Sequence, residues 1–348
     1  MIKKENGVDI NKVCIITPYH MEPPSPRILR EADALKEIGL EVNILYPPRG
    51  LNIHKRNIYI RNEFTKLINR YDKFIVYDLL TLFYLSLVIK KYNIKTKTIY
   101  EVIDDFPHYY SYKVLKRLIG KNILAFFLEK TEAFLIKHFT SFVLVNSSYL
   151  YNRLSKYTSN IDTLFYTSPF EGKDFFNNPD YPPAFVYIGA FTPEKGSNEI
   201  INLAITHPNI PFYVIGSSSP CNIKPKNLTI YPRYPIDKLF SILKKISKKY
   251  FIFGLSLIQN LNKSYAVQEA NKDIDYLALG IPIVGNKRRT TYEKIQLGAG
   301  LLIDNLSIDM LFLRDIKLRL SAKAKEIYNL HYSYNRFKKV LSYAISCK

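Results

Sequence analysis

The sequence predicts an α/β protein built from two doubly wound domains in tandem, each a mainly parallel sheet covered on both faces. Three observations carry this reading. Short apolar runs of strand length alternate with helical patterns in the first half, and the alternation starts again in the second. The stretch TSPFEGKDFFNNPDYPP at 167–183 is rich in Pro, Asn and Asp, has no periodicity, and separates the two series. The length of 348 residues suits two domains. With 47% apolar and 23% charged residues the chain is ordinary globular material, which excludes disorder, collagen and coiled coil as whole-chain answers.

The elements follow in order. The run KVCIIT at 12–17 is a strand ending in the Pro-rich loop PYHMEPPSP. Residues 27–38 read as a helix with Ile28, Ala32 and Leu35 on one face, and Gly39 is its stop. Further strands are expected at 41–46, 57–61, 73–77, 97–103, 142–146 and 162–166. The greasy run 74–89 contains Asp78, Thr81 and Ser86 and is shorter than the ~20 residues of a membrane span. It reads as a buried strand followed by a buried helix. After the linker come strands at 184–188, 211–215, 228–231, 250–257, 281–285 and 300–303, with helices at 197–206, 237–247 and 272–279. A last helix, 322–345, is long enough to pack back across the linker. The expected layout is therefore an N-terminal Rossmann-like domain over 1–170, a linker over 171–183, a C-terminal Rossmann-like domain over 184–321, and a terminal helical segment over 322–348. Two such domains facing each other leave a cleft at the carboxyl ends of their strands, where ligands bind.

Charge and cysteines narrow the function classes. There are 50 Lys and Arg against 30 Asp and Glu, a net charge of +20. The excess is spread, with 25 basic and 16 acidic residues up to position 170 and 25 and 14 beyond it. Lysines outnumber arginines 36 to 14, which fits diffuse attraction to an anionic surface better than base readout, and no nucleic-acid recognition signature appears. Nucleic acid is not an expected partner. Cys14, Cys221 and Cys347 lie far apart and the histidines form no ligand pattern, so neither a disulfide framework nor a zinc site is expected. The N-terminus has no apolar signal-peptide core, and a cytoplasmic protein is expected, peripheral on the inner face of the membrane if it associates with one. The segment 109–127, YYSYKVLKRLIGKNILAFF, puts Lys113, Lys116, Arg117 and Lys121 on one helical stripe and apolar residues opposite. Such a helix can lie on an anionic membrane surface, or be a core-facing helix with a solvated basic face.

Chemistry is sought in the strand-to-helix loops. YIGAFTPEKGSNEI carries Gly189 and Gly196, which allow close backbone approach, and Lys195 beside a helix N-terminus whose free N–H groups suit a phosphate. Neither G-x-G-x-x-G nor a P-loop is present, so neither a dehydrogenase nor an NTPase is indicated. In NKDIDYLALGIPIVGN, Asn271 and Lys272 open a helix and Asp275 lies one turn in. Lys272 and the helix N-terminus could hold a diphosphate and Asp275 a ribose diol; equally, this is a capped helix with an acid at its positive end. Asp104 and Asp105 follow the strand at 97–103 and would face the cleft, where one carboxylate could act as a base or simply cap the next helix. His20 and Arg27 lie in and just after the first loop, and Arg27 could hold an acidic acceptor. Arg233 follows the strand at 228–231 and could contact a base or phosphate.

Taken together these segments resemble a known family. YIGAFTPEKG resembles the GR-x-x-x-EKG loop, and NKDIDYLALGIPIVGN the NK-x-x-EYLA-x-G-x-PVV segment, of GT-B glycosyltransferases, especially family 4 and its bacterial capsule and lipopolysaccharide relatives. PSPRILREADALKEIGLEVNIL, YEVIDDFP and FVLVNSSYLYNRL are similar to segments of their N-terminal domain. The resemblance runs from about residue 12 to the last helix and implies the GT-B architecture. It implies transfer of a sugar from a nucleotide-sugar donor, held by the C-terminal domain, to a saccharide or lipid-linked acceptor, held by the N-terminal domain at residues such as His20 and Arg27. It implies retention of configuration and no metal or other cofactor at the diphosphate, with Gly189, Lys195, Asn271 and Lys272 around that group and Asp275 on the ribose. Three departures stand out: Phe191 replaces the arginine after the first glycine, Asp275 replaces a glutamate, and Val267 occupies the first position of the E-x7-E pair, with Glu269 out of register. The competing readings are a nucleotide-sugar epimerase of the same architecture and a nonenzymatic basic protein binding membrane or nucleic acid.

Overall fold

The structure is a computed structural model describing residues 10–19, 25–114, 121–216, 225–258, 267 and 269–347. His20, Cys221, residues 115–120 and the side chains of Lys113 and Lys121 lie outside it, so the basic stripe read at 109–127 falls outside the described residues. The chain divides into two compact units, Met1–Tyr166 with Asn335–Lys348, and Thr167–Tyr334.

The first unit carries β1 (Lys12–Ile16), β2 (Glu41–Leu45), β3 (Lys73–Tyr77), β4 (Thr98–Val102), β5 (Phe142–Val145) and β6 (Ile161–Thr163) in one sheet of order β2-β1-β3-β4-β5-β6. All neighbours are parallel; Val13 of β1 stands opposite Val42 of β2 and Lys73 of β3. β3 (KFIVY) and β5 (FVLV) are buried at every residue, as a parallel sheet covered on both faces requires. The helix Pro26–Glu37 starts on a proline at its first turn, where the missing N–H costs nothing, and buries Ile28, Ala32 and Leu35 as the periodicity predicts.

One expected strand is a helix. Residues 57–61 lie inside the helix Ile53–Leu67. Asn52 caps it by accepting the Lys55 N–H at 3.0 Å, and Asn57, Ile60 and Phe64, at i, i+3 and i+7, form its buried face.

The second unit repeats the plan with β7 (Pro183–Ile188), β8 (Phe212–Ile215), β9 (Leu228–Tyr231), β10 (Phe251–Ser256), β11 (Ile283–Gly285) and β12 (Gly300–Leu302). Their order is β12-β11-β10-β7-β8-β9, again wholly parallel. Its core gathers Phe185, Phe212, Phe251 and Phe253 with Ile200 and Val214. The expected terminal helix is two helices, Arg314–Ile327 and Tyr334–Ser346, separated by a π-turn at Tyr328–Tyr332 and an extended Ser333. The second of them seals the first unit: Phe337, Val340, Leu341, Ala344 and Ile345 are buried, and the Tyr343 ring meets Phe142 at 5.7 Å. Among the described residues no helix is long and apolar enough to cross a membrane.

Candidate functional site

In each sheet the direction of strand addition reverses once. In the second unit β8 and β9 extend the sheet on one side of β7, and β10, β11 and β12 on the other. The carboxyl ends of β7 and β10 therefore mark the topological switch point, the standard position for a ligand in such sheets.

The loop after β7 is shaped for close approach. Gly189 sits at φ +129° and Gly196 at φ +91°, a region that side-chain-bearing residues avoid. A Cβ on Gly196 would stand 2.3 Å from the carbonyl oxygen of Leu257, immediately beyond β10. The loops after β7 and β10 thus meet at the switch point through bare backbone. The turn Pro193–Lys195 precedes Gly196, which in turn opens the helix Ser197–Thr206.

The helix Asn271–Ala278 contributes from the β10 side. Its N-cap is Ala270, and among the described residues no side-chain cap bonds to its first turn. Asn271 is exposed, and Lys272, on the same first turn, is nine-tenths buried. The Lys272 ammonium lies 3.9 Å from the ring centroid of Tyr187 on β7. Burial first, then Arg288 and Lys195, push its pKa down to about 7, with Asp273 opposing them. The neighbouring charges are matched. Asp273 accepts Thr291 Oγ1 at 2.7 Å and Arg288 Nη2 at 3.4 Å, and Glu269 pairs with Lys294. Among the described residues no carboxylate pairs with Lys272. The outcome is a buried lysine, unpaired with any carboxylate among the described residues, next to a helix N-terminus.

Asp275 lies one turn along the same helix, buried, and accepts the Ser168 hydroxyl at 2.7 Å. Val267 is buried and Glu269 is engaged by Lys294, so neither supplies the missing first acid of the E-x7-E pair. Phe191 packs its ring against Tyr187, with centroids 6.1 Å apart. Arg233 is exposed beyond β9, the edge strand two places from β7. Lys195 is thus near enough to Lys272 to act on its charge, Asn271 precedes Lys272 at the helix start, Gly189 leaves the same strand as Tyr187, Asp275 lies one turn along the helix, and Arg233 leaves a different strand.

In the first unit the reversal falls between β1 and β3. The residue leaving β3 is Asp78, at φ +75° and ψ 134°, a conformation rare outside glycine. It is buried; its Oδ1 accepts the Leu80 N–H at 2.7 Å and its Oδ2 the Tyr110 hydroxyl at 2.7 Å, and Tyr19 also bonds to it. Burial raises its pKa, against those hydrogen bonds. The motif reading overlooked Asp78. The available signal was an aspartate directly between a buried strand and an apolar helix.

The other first-unit candidates are distributed differently. Asp104 is half-buried in the loop after β4, close enough to Tyr19 to act on its hydroxyl. Asp105 is buried and tied to His108 at 3.1 Å and Arg153 at 3.8 Å; Arg153 also pairs with Glu132 at 2.6 Å. Arg27 directs its Nε and Nη2 to Glu101 Oε1 at 2.8 and 2.5 Å, and Nη2 also reaches the Leu164 carbonyl at 2.9 Å. Its guanidinium is thereby committed to neutralising a carboxylate inside β4. Next to it the Tyr77 hydroxyl donates to Glu31, whose pKa is raised by burial and by Glu101.

No protein-family profile matches the chain, and no curated protein matches it in sequence. Solved structures do match it. Sucrose-phosphate synthase from Thermosynechococcus elongatus aligns with a TM-score of 0.66 at 11% identity, covering 94% of this chain and 96% of its own. Anabaena HepE, solved in complex with UDP and glucose, aligns with a TM-score of 0.62 at 11% identity, covering 97% and 99%. UDP-GlcNAc 2-epimerase from Neisseria meningitidis, solved bound to UDP-GlcNAc, aligns with a TM-score of 0.55 at 11% identity, covering 96% and 99%. The fold is the α/β GT-B fold with two parallel six-stranded sheets.

Proposed function

We propose that the protein is a glycosyltransferase that moves a hexosyl group from a nucleotide-sugar donor to a saccharide or lipid-linked acceptor in bacterial surface-polysaccharide synthesis, such as capsule or lipopolysaccharide. The observation that carries the reading is Lys272, a buried lysine at the switch point that pairs with no carboxylate among the described residues. Burying such a charge is costly unless an anion offsets it. The occupant that fits is a nucleotide diphosphate. Lys195, Lys272 and the N–H groups opening the Asn271–Ala278 helix would surround it, Gly189 would admit its backbone-side oxygens, and Asp275 would reach the ribose.

On this reading the two lysines stabilise the charge that develops as the bond between the sugar and the diphosphate breaks, the task a metal performs elsewhere. We propose a metal-independent and retaining reaction, in which the departing phosphate oxygen takes the acceptor proton. An inverting reaction would need a base in the first unit. Asp104, half-buried in the loop after β4, is the carboxylate we favour for it, because Asp78 has both oxygens taken by Leu80 and Tyr110 and Asp105 is held by His108 and Arg153.

The test is a thermal-shift series with UDP-, GDP-, CMP- and dTDP-sugars, with and without EDTA. A ligand that binds the native state raises the melting temperature by mass action. One base should give a shift that survives EDTA. Lys195→Ala and Lys272→Ala should each weaken that binding by ~1.5–3 kcal/mol, the contribution of a hydrogen bond to a charged group. If both variants bind as the parent does, the lysine assignment is wrong and the nonenzymatic binding reading gains. The structural likeness to a nucleotide-sugar epimerase keeps a second enzymatic reading in view. Nucleotide release that requires an acceptor marks the transferase, and isomerised donor without an acceptor marks the epimerase.

A further inference from the structure

Two helices of the first unit are apolar on the side that faces water. In the helix Leu79–Lys91, Leu82, Leu85 and Ile89 fill the core, while Phe83 and Leu87, one turn apart, are each more than half exposed. In the helix Lys121–Phe139, Ala125, Leu135, Ile136 and Phe139 face inward. Its outward stripe is Ile123, Phe126, Phe127 and Phe134, again each more than half exposed. An ordinary surface helix carries polar residues there. The two helices pack together, and between them opens a cavity of about 440 Å³ lined by Leu79, Leu80, Phe83, Leu124 and Leu128. Its polar lining is Thr131 and Tyr110, and the Tyr110 hydroxyl binds Asp78.

The charges around this face have one sign. Lys90, Lys91, Lys130 and Lys137 are exposed on the same helices, and Lys130 lies over the Phe126 ring at 5.3 Å. The first helix contains no acid. On the second, Glu132 is buried against Arg153, and Glu129 is half-buried and 3.6 Å from His108. Among the described residues, then, Glu129 is the only partly exposed carboxylate on either helix. Protruding aromatic and aliphatic side chains, interspersed with lysines on a chain of charge +20, match a surface that is oily below and anionic above.

We infer that this face docks on an anionic lipid bilayer, with Phe83, Leu87, Ile123, Phe126 and Phe127 entering the acyl boundary, the lysines meeting lipid phosphates, and the cavity between the helices taking a hydrocarbon chain. This goes beyond the transferase reading and stands on first-unit residues alone.

The experiment is flotation of the full-length protein with phosphatidylcholine vesicles and with mixed phosphatidylcholine–phosphatidylglycerol vesicles. The parent should float with the anionic vesicles and detach in high salt. The double variant Phe126→Ser, Phe127→Ser should lose at least about tenfold in vesicle affinity, since both rings would otherwise be buried in lipid. Because both side chains are exposed, its melting temperature should equal the parent's. Leu87→Ser, on the other helix, should weaken flotation in the same direction. No flotation of the parent, or flotation of the double variant equal to the parent's, overturns the inference. So does a lipid-free dimer that the double variant turns into monomer, which would make the face a contact between copies. The donor-induced thermal shift, measured on the same samples, reports separately on the second unit, so either reading can fail without the other.

Discussion

Lys272 is the residue on which binding and stability pull in opposite directions. Its pKa falls from an ordinary 10.5 to about 7 chiefly through burial. The unfolded chain therefore holds this proton more tightly than the folded one does. The cost is complete below about pH 7, shrinks as pH rises, and vanishes above about 10.5. Lys272→Met should stabilise the empty protein by ~1–3 kcal/mol at pH 7 while removing donor binding. Melting curves of the two proteins should converge as pH approaches 10.5, and a gap that widens with pH would refute the assignment. An anion in the crevice restores the proton, so donor binding at pH 8 should take up a proton. Calorimetry in buffers of different ionisation enthalpy measures this directly. Lys195, Lys272 and Gly189 can be proposed from the sequence because their residue types sit at strand-to-helix junctions. Asp78 cannot, because its significance lies in a φ of +75° that the surrounding fold imposes.

At the scale of elements, the second-unit crevice depends on the loop after β7 lying against the end of β10. Gly196→Ala would bring a Cβ to 2.3 Å from the Leu257 carbonyl oxygen, at a φ of +91°. We expect a loss of more than about 2 kcal/mol, read as a lower urea midpoint. An unchanged midpoint would mean that the two loops do not touch. Local pattern also explains the misread element. The run Asn57-Ile58-Tyr59-Ile60 alternates with β-branched residues and invites a strand reading. The Asn52 cap and the buried face of Asn57, Ile60 and Phe64 outweigh it, as tertiary packing often outweighs propensity. The break at Ser333 has a similar origin: Tyr328 and Tyr332 are buried on the π-turn, and the chain leaves it extended.

At the scale of the whole molecule the first unit is discontinuous and the second is not. Residues 1–166 alone would lack the helix Tyr334–Ser346 and expose the surface it covers, Phe142 included, as well as losing the Lys338–Glu37 pair at 3.0 Å. That fragment should be poorly soluble and melt non-cooperatively, and adding 335–348 as a peptide should improve it. The fragment 167–334 should fold in one cooperative transition and retain the nucleotide-induced thermal shift. If it folds but does not bind nucleotide, the proposed donor contacts of the second unit are insufficient.

The sequence by itself determined the class of fold, the repeat of that fold within one chain, and the identity of the cationic residues near the second crevice. These are properties of local pattern, since strand-length apolar runs, glycine turns and helix starts are written within a few residues. Only the tertiary structure decided which charges are compensated. Arg27 finds Glu101 across 74 positions, Asp105 finds Arg153, Asp273 finds Arg288, and Lys272 pairs with no carboxylate among the described residues. It likewise decided that Phe83 and Phe126 face water while similar residues beside them fill the core. Electrostatic pairing and solvent exposure depend on which distant segments meet, and parallel sheets bring together segments that no local pattern connects.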